Sequence, residues 1–241
     1  KRLAESGRER RKSGQTLLDG LHLVEAWEAQ RGPVNSLIVS ESALAGGEIQ
    51  AWLGERECTV ISAALMRELG LVDTPSGLLA VVDMPQANVA VNPEKDAVLL
   101  DGVQDPGNLG SLLRSAAAAG VRQVLLSPGC AAAWSPKVLR AGQGAHFVLD
   151  IHEEADLEAF IAGYAGTTAV TCLDGATSLY AADWQEPLAW VFGSEGQGVR
   201  PALIDVAHLK IRIPMPGAVE SLNVGAAAAV CLFEAVRRRE G

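Results

Sequence analysis

WVFGSEGQGVRP (residues 190–201) joins an apolar run to a glycine-rich loop and then to a proline. The run 188–192 has the composition of a buried strand, and Pro201 suits the first turn of a helix. Three glycines in six residues let the backbone come close to a bound group. The spacing matches neither the dinucleotide nor the Walker pattern, and Glu195 would repel a pyrophosphate. We therefore predict a strand–loop–helix unit whose ligand is not a polyanion, although a plain glycine-rich turn has the same pattern.

The same alternation of β-rich runs and amphipathic helices extends along the whole chain and predicts an α/β fold. In the second half, helices separate the strands, which indicates a parallel sheet with helices on both faces. Ligands of such sheets bind at the carboxyl ends of the strands. The predicted strands are 36–40, 58–62, 78–83, 97–100, 122–127, 146–151, 167–173, 188–192 and 209–213. The predicted helices are 15–30, 41–54, 109–119, 154–163 and 221–238, with one more that starts near Ser135-Pro136.

The alternation of strands and helices is interrupted at residues 84–96, which contain two prolines and several polar side chains. This interruption predicts a domain boundary. The expected division is a basic N-terminal tail (1–14), an N-terminal domain (15–84), a linker (85–95) and a C-terminal domain (96–241).

Charge and cysteine content narrow the range of functions. The formal net charge of −9 argues against nucleic acid, but residues 1–12 carry six basic and two acidic side chains. The four cysteines are scattered without C-x-x-C spacing, so neither a disulfide framework nor a metal site is expected. The four histidines show no metal-ligand spacing either. The charged N-terminus and the lack of an apolar run of membrane-spanning length predict a cytoplasmic protein without a membrane partner.

Residues 100–120 (LDGVQDPGNLGSLLRSAAAAG) form a second loop-to-helix unit. Asn108 is a good N-cap for a helix that begins at the next residue, and Gly120 is a good residue to end it. Arg114 lies one turn after Gly110, so a ligand or backbone could approach its guanidinium. An ordinary surface arginine is the alternative interpretation.

Residues 211–239 form a third unit, in which a strand ends in Ile213-Pro214 and a Pro/Gly loop leads to the last helix. Ser221 and Asn223 stand at the head of that helix, where they are site residues or mere helix-start residues. Arg237–Arg239 complement the helix dipole, and contact with RNA is the alternative interpretation of this run. The apolar spacing predicts one buried stripe, formed by Leu222, Ala226, Ala229, Val230 and Phe233.

Together the three units resemble the SpoU (TrmH-like) branch of the SPOUT RNA methyltransferases. The first motif is matched by Asn108, Gly110 and Arg114, the second by Gly193–Gly196 with Gly198, and the third by Ile213–Met215, Gly217 and Ser221–Val224. The resemblance extends to residues 137–141 and 144–147. The N-terminal region resembles the RNA substrate-binding domain of this family, related to the L30e/L7Ae fold, with Gly20–Glu25 and Thr74–Gly77 near its two ends.

The resemblance implies a parallel-sheet α/β domain tied in a trefoil knot, homodimers formed through the knot, and S-adenosylmethionine as cofactor. It implies methyl transfer to a ribose 2′-hydroxyl of RNA, with a large-subunit ribosomal RNA favoured over tRNA. The implied cofactor-binding residues are Gly193, Gly196, Ile213, Met215 and Leu222. The implied catalytic residues are Asn108, Arg114, Glu195, Ser221 and Asn223.

Physical chemistry restricts the role of Arg114, because a guanidinium stays protonated at neutral pH and is a poor base. We therefore expect this side chain to act as a cation toward a phosphate or a developing alkoxide. Three alternatives stay open at this point: a tRNA 2′-O-methyltransferase, a SPOUT enzyme that methylates a base nitrogen, and a catalytically inactive RNA-binding relative.

Overall fold

The computed structural model describes residues 1–45, 47–69, 75–85, 90–173 and 175–240, whose strands form one four-stranded and one seven-stranded sheet. The strands are β1 (Gln15–Asp19), β2 (Ser36–Ser40), β3 (Thr59–Ile61), β4 (Leu78–Asp83), β5 (Ala97–Asp101), β6 (Gln123–Leu126), β7 (Asp150–His152), β8 (Thr167–Thr171), β9 (Thr177–Ser178), β10 (Leu188–Gly193) and β11 (Leu209–Arg212). The helices are α1 (Arg2–Glu5), α2 (Gly7–Ser13), α3 (Leu21–Arg31), α4 (Glu41–Leu44), α5 (Glu48–Leu53), α6 (Ala63–Glu68), α7 (Pro106–Ala118), α8 (Pro136–Gly142), α9 (Leu157–Ala162), α10 (Pro201–Val206) and α11 (Val224–Glu240).

The first of two units contains Lys1–Gln86 and Trp134–Phe147. Its sheet has the order β1-β4-β2-β3, in which β4 is antiparallel to β1 and β2, and β2 is parallel to β3. The buried Thr16 donates its hydroxyl to the carbonyl of Trp134 at 2.7 Å, and Trp27 packs edge-on against Phe147. These contacts explain why a later segment of the chain folds with the N-terminal strands.

The second unit contains Ala87–Ala133 and Val148–Gly241, and its sheet has the order β7-β6-β5-β10-β8-β11-β9. Every strand pair of this sheet is parallel, as the alternation of strands and helices predicts. Leu99 and Val191 belong to a core that includes side chains of α9 and α10. Trp190, which points to the opposite face, lies beside Leu232 and Ala235 of α11. Helices therefore cover both faces, and the predicted α/β parallel sheet is confirmed.

Helix α11 buries a different face from the one that its apolar spacing predicts. The buried residues of this helix are Gly225, Ala228, Cys231, Leu232, Glu234 and Ala235. By contrast, Phe233 is 48% exposed, Leu222 is 40% exposed and Ala226 is exposed. The predicted stripe is wrong at these three positions, while Ala229 and Val230 are half-buried, because an alanine-rich helix is apolar on two sides and α11 packs on α7 with the other side.

The arginines at the end of α11 form ion pairs within the second unit. Arg237 and Arg238 both donate to the carboxylate of Glu234, at 2.8–2.9 Å. These hydrogen bonds lower the pKa of Glu234 to about 2, and those from Arg237 contribute more than those from Arg238. Arg239 pairs with Asp96 and Glu186. The run therefore anchors the helix end, in addition to any interaction with the helix dipole.

The N-terminal strand differs from the sequence prediction. Residues 15–19 form β1 and the helix begins only at Leu21, because Gly20 has a φ of 102° and the strand pairs with β4 from Gln15 to Asp19. The predicted helix over 15–30 is wrong in its first part. The predicted helix over 41–54 consists of two short helices, α4 and α5. Residues 145–147 form a 3₁₀ turn, and β7 begins later, at Asp150.

The division of the chain also differs from the expectation in two places. Residues 1–14 are folded rather than a tail: Leu3 and Ala4 of α1 pack against a core formed by Leu17, Met66 and Leu79. Residues 134–147 belong to the first unit, although the expected C-terminal domain includes them. Part of the expected linker 85–95 lies outside the described residues, as does Thr74. No helix within the described ranges is long and apolar enough to cross a membrane.

Candidate active site

A cavity of about 650 Å³ opens at the carboxyl edge of the parallel sheet. Its walls come from the residues that follow β8, β10 and β11 and from the head of α11. The predicted site residues that line it are Gly193, Glu195, Gly196, Ile213, Met215, Ser221, Leu222 and Asn223. Its volume is within the range of small-molecule sites, and its location agrees with the rule for parallel sheets.

Three polar side chains from different parts of the sequence form a hydrogen-bonded chain at this cavity. The Nδ2 of Asn223 donates to the Oδ1 of Asn108 at 2.8 Å, and the Nδ2 of Asn108 donates to the Oε1 of Glu195 at 2.7 Å. The Oδ1 of Asn223 accepts from the backbone amides of Gly225 and Ala226 and so caps α11. Since the Oδ1 of Asn223 is used by the helix cap, only its Nδ2 can donate to Asn108, and the Nδ2 of Asn108 is then left to donate to Glu195. The end of α11 therefore fixes the orientation of both side-chain amides and, through them, of the Glu195 carboxylate.

Asn108 has a different local role from the one that the sequence predicts. Helix α7 begins at Pro106, and its N-cap is Asp105, whose carboxylate accepts from the backbone amide of Asn108 at 2.7 Å. The predicted N-cap is therefore wrong by three residues, because Asp and Asn are equally good caps and stand three residues apart. The consequence matters for the site, since the Asn108 side chain is available to bridge Asn223 and Glu195.

Gly193 is required by the fold of its own loop. A Cβ at this position would lie 2.0 Å from the carbonyl carbon of Gly198 and 2.2 Å from the amide nitrogen of Val199. The loop returns because Ser194 and Gly198 exchange two backbone hydrogen bonds, of 3.1 and 2.9 Å. The close approach that the glycine pattern indicates is thus, at Gly193, an approach of the loop to itself. A Cβ at Gly196 would meet no atom within 4 Å, so that glycine faces open space.

Arg114 is the predicted site residue that the structure does not bring into this chain of hydrogen bonds. It is exposed on α7, six residues after Asn108. In the described part of the chain, its guanidinium makes no hydrogen bond or ion pair, whereas Gly110, one turn earlier, is buried. The guanidinium of Arg114 is therefore free to meet an anion from solution.

Several residues of the cavity carry no signal that sequence reasoning used. Cys172 and Leu173 follow β8, and Arg212 ends β11. Leu173 is 62% exposed at the wall of the cavity. The position of these residues at the ends of predicted strands is the signal that would have found them. Among the residues that the structure describes, no group of three or more His, Cys, Asp or Glu is arranged to hold a metal ion.

Comparisons with known proteins bear on both units. The model described as the SpoU rRNA Methylase family matches residues 96–233, and the model described as the MRM3-like substrate binding domain matches residues 1–80. The 23S rRNA (guanosine(2553)-2′-O)-methyltransferase RlmP of Bacillus subtilis (strain 168) is 31% identical over 229 residues. This alignment covers 94% of the present chain and 90% of RlmP.

Two solved structures resemble this chain, one over its whole length and one over about three fifths of it. The SpoU methyltransferase AviRb from Streptomyces viridochromogenes, in complex with the cofactor AdoMet (S-adenosylmethionine), has a TM-score of 0.85 at 26% identity. That match covers 100% of this chain and 96% of AviRb. A structure concerned with the 2-OH methylation of C/U34 on tRNA has a TM-score of 0.54 at 30% identity and covers 62% of this chain and 99% of its own. Because the SpoU rRNA Methylase model alone matches residues 96–233, more than half of the 241 residues, the chain belongs to the SpoU rRNA methylase family.

Proposed function

We propose that this protein transfers the methyl group of S-adenosylmethionine to a ribose 2′-hydroxyl of large-subunit ribosomal RNA. The observation that carries the proposal is the Asn223–Asn108–Glu195 chain of hydrogen bonds at the edge of the 650 Å³ cavity. Membership of the SpoU family and the full-length similarity to RlmP and to AdoMet-bound AviRb support it.

The residues of the cavity fit the proposed cofactor. S-adenosylmethionine has no phosphate, so the carboxylate of Glu195 does not repel it as it would a nucleotide. Apolar side chains of Ile213, Met215 and Leu222 would hold its adenosine part, together with the backbone at Gly193 and Gly196. When bound, it supplies a methyl group activated by a positively charged sulfur.

The catalytic residues of the chain act by orientation and charge. Asn108, which is oriented by Asn223, donates to one oxygen of Glu195, and the other oxygen of this carboxylate accepts no hydrogen bond within the described residues. That oxygen is available to orient a polar group of a substrate in the cavity. We assign to Arg114 the role of a cation that binds a phosphate or stabilises the developing alkoxide, and to Ser221, which lines the cavity, a role in orienting the site.

The named relatives support ribosomal RNA as the substrate class, and one of them matches nearly the whole chain. RlmP, which acts on 23S rRNA, matches 94% of this chain, whereas the tRNA-related structure matches 62%. The match of residues 1–80 to the MRM3-like substrate binding domain supports a role for the first unit in binding the RNA. Its helix α2 presents exposed Arg8, Arg11 and Lys12, which suit contact with phosphates.

A homodimer formed through a knotted second unit is part of the proposal. The apolar residues Leu222, Ala226 and Phe233 of the α11 region are exposed, although their spacing is that of a buried helix face. A second copy of the same surface would bury them in a two-fold interface, as closed symmetric dimers require.

Cofactor binding and turnover of an Arg114→Ala variant test the proposed function. Because Arg114 does not line the cavity, we expect the variant to bind S-adenosylmethionine within about threefold of wild type in calorimetry, while methyl transfer to a ribosomal RNA transcript is lost. Arg114→Lys is the matched variant, which keeps the charge and should retain part of the activity. Normal turnover by Arg114→Ala would contradict the assignment, and a wild-type protein that binds no cofactor would favour the inactive RNA-binding alternative.

A further inference from the structure

The Gly193–Arg200 loop, which carries Glu195, is attached at both ends to one residue of the neighbouring strand. Gly193 pairs with Asp101 in the parallel register of β10 and β5. At the other end, the carboxylate of Asp101 accepts from the backbone amide of Arg200 at 2.9 Å and from its Nε at 2.8 Å. The loop is therefore closed at its base by Asp101, in addition to its internal Ser194–Gly198 hydrogen bonds, while the guanidinium of Arg200 also lies 3.7 Å from the carboxylate of Glu158.

The carboxylate of Asp101 is buried and has several donors. Its side chain is 3% exposed, and the hydroxyl of Ser127 donates to Oδ1 at 3.2 Å. The same hydroxyl accepts from the amide of Gly102 at 3.0 Å. A buried carboxylate is costly unless it is paired and hydrogen-bonded, and the guanidinium of Arg200 supplies the opposite charge. Asp101 and Arg200 thus form a two-part clamp on the loop.

The clamp also connects the two sequence segments whose side chains meet in the site. Asp101 ends β5, and the residues that follow it lead directly to the N-cap Asp105 and to Asn108. Arg200 ends the loop that carries Glu195. One buried carboxylate therefore sets the starting point of both segments, and the 2.7 Å hydrogen bond between Asn108 and Glu195 closes the ring.

We propose that Asp101 is a positioning residue for the proposed methyl transfer, which acts through Arg200 to hold Glu195 and the cofactor loop in their binding geometry. This inference rests on the proposed function for its cofactor, but the clamp itself is a property of the ligand-free protein. It assigns no contact between Asp101 and substrate. A merely stabilising ion pair is the competing explanation.

Asp101→Asn and Arg200→Gln test the clamp from its two sides. In Asp101→Asn an amide N–H must face one of the two Arg200 donors, and in Arg200→Gln the Nε–H donor is removed. Arg200→Lys keeps the positive charge and should therefore retain part of the loop protection and of the cofactor affinity that Arg200→Gln loses. Asp96→Asn is the matched control, since Asp96 lies just before β5 at its other end, accepts from the amide of Leu188 at 2.8 Å and pairs with Arg239.

Two readouts separate positioning from stability. Amide hydrogen exchange of residues 194–200 is measured on the ligand-free variants, and the Kd for S-adenosylmethionine is measured by calorimetry well below each melting temperature. We expect the clamp variants to exchange faster in this loop and to bind the cofactor about tenfold or more weakly, which corresponds to one lost charge-assisted hydrogen bond. We expect Asp96→Asn to lose thermal stability but to keep loop protection and the cofactor Kd of wild type.

The inference is overturned if Asp101→Asn and Arg200→Gln melt at lower temperature but keep the wild-type exchange rates and Kd. If Asp101→Asn does not fold, Arg200→Gln decides, because its exposed side chain can be changed without burying a new group. A wild-type protein that binds no S-adenosylmethionine would refute the proposed function, and loop exchange alone would then decide on the clamp.

Discussion

Gly193→Ala is the substitution for which the structure gives the most direct expectation. The added Cβ would lie 2.0 Å from the carbonyl carbon of Gly198, against about 3.4 Å for an ordinary contact, so Gly198 must move by about 1.4 Å (3.4 − 2.0). Backbone atoms form the obstacle, and no side chain can rotate to relieve it. The loop between Ser194 and Gly198 must therefore open.

The size of the effect follows from the hydrogen bonds in that loop. A shift of 1.4 Å breaks the two Ser194–Gly198 bonds, of 2.9 and 3.1 Å, at a net cost of about 0.5–1.5 kcal/mol each. The free energy of unfolding should fall by about 1–3 kcal/mol, which lowers the melting temperature by about 2–4 °C per kcal/mol in a chain of this size. The same shift displaces Glu195 from Asn108. A misplacement of about 1 Å costs on the order of 100-fold in catalytic efficiency.

Calorimetric binding of S-adenosylmethionine and methyl transfer to RNA, measured below the melting temperature, check this expectation. Gly163→Ala is the control, because a Cβ there would meet only ordinary contacts, at 3.8 Å and beyond, and φ is −101°. We expect Gly163→Ala to bind and turn over like wild type. Wild-type cofactor affinity and turnover in Gly193→Ala would refute the geometry of the loop.

Three further expectations concern the proposed dimer surface, the basic side chains of α2 and the ion pairs of Glu234. Phe233→Asp should convert the proposed dimer to a monomer in light scattering, because it places a charge in the apolar α11 surface; an unchanged mass would exclude that interface. Replacing Arg8, Arg11 and Lys12 by Ala should weaken RNA binding and reduce the slope of log K against log salt by about 0.7–0.9 for each lost phosphate contact, and this avoids deleting the folded α1. For Glu234, the folded pKa of about 2 lies below the ordinary value of 4.5, so its stabilisation is present above pH 4.5 and is lost toward pH 2. Glu234→Gln should therefore flatten this part of the acid-unfolding curve, and an unchanged curve would contradict the ion pairs.

The sequence predicted the parallel sheet and the loops of the site because both depend on local patterns. Apolar runs such as 188–192 end directly in polar, glycine-rich loops, and parallel strands bring those loops to one edge. Eight of the ten predicted site residues line the cavity for this reason. Asn108 joins them through hydrogen bonds, while Arg114 stays apart on the exposed side of α7.

The failures of sequence reasoning have a common cause, which is that distant partners decide between equal local alternatives. Leu17 and Leu18 fit a helix as well as a strand, and pairing with β4 selects the strand. Helix α11 has two apolar sides, and packing on α7 determines which one is buried. The clamp at Asp101 was not predicted because its partner Arg200 is 99 residues away.

The most direct test of the central claim is to locate the methyl group that the protein transfers. Large-subunit ribosomal RNA and tRNA transcripts are incubated with isotopically labelled S-adenosylmethionine and wild-type protein, digested to nucleosides and analysed by mass spectrometry. The account predicts label in a 2′-O-methylnucleoside from the ribosomal transcript, and none with Arg114→Ala. Label on a base nitrogen, or no label in any RNA, would contradict it.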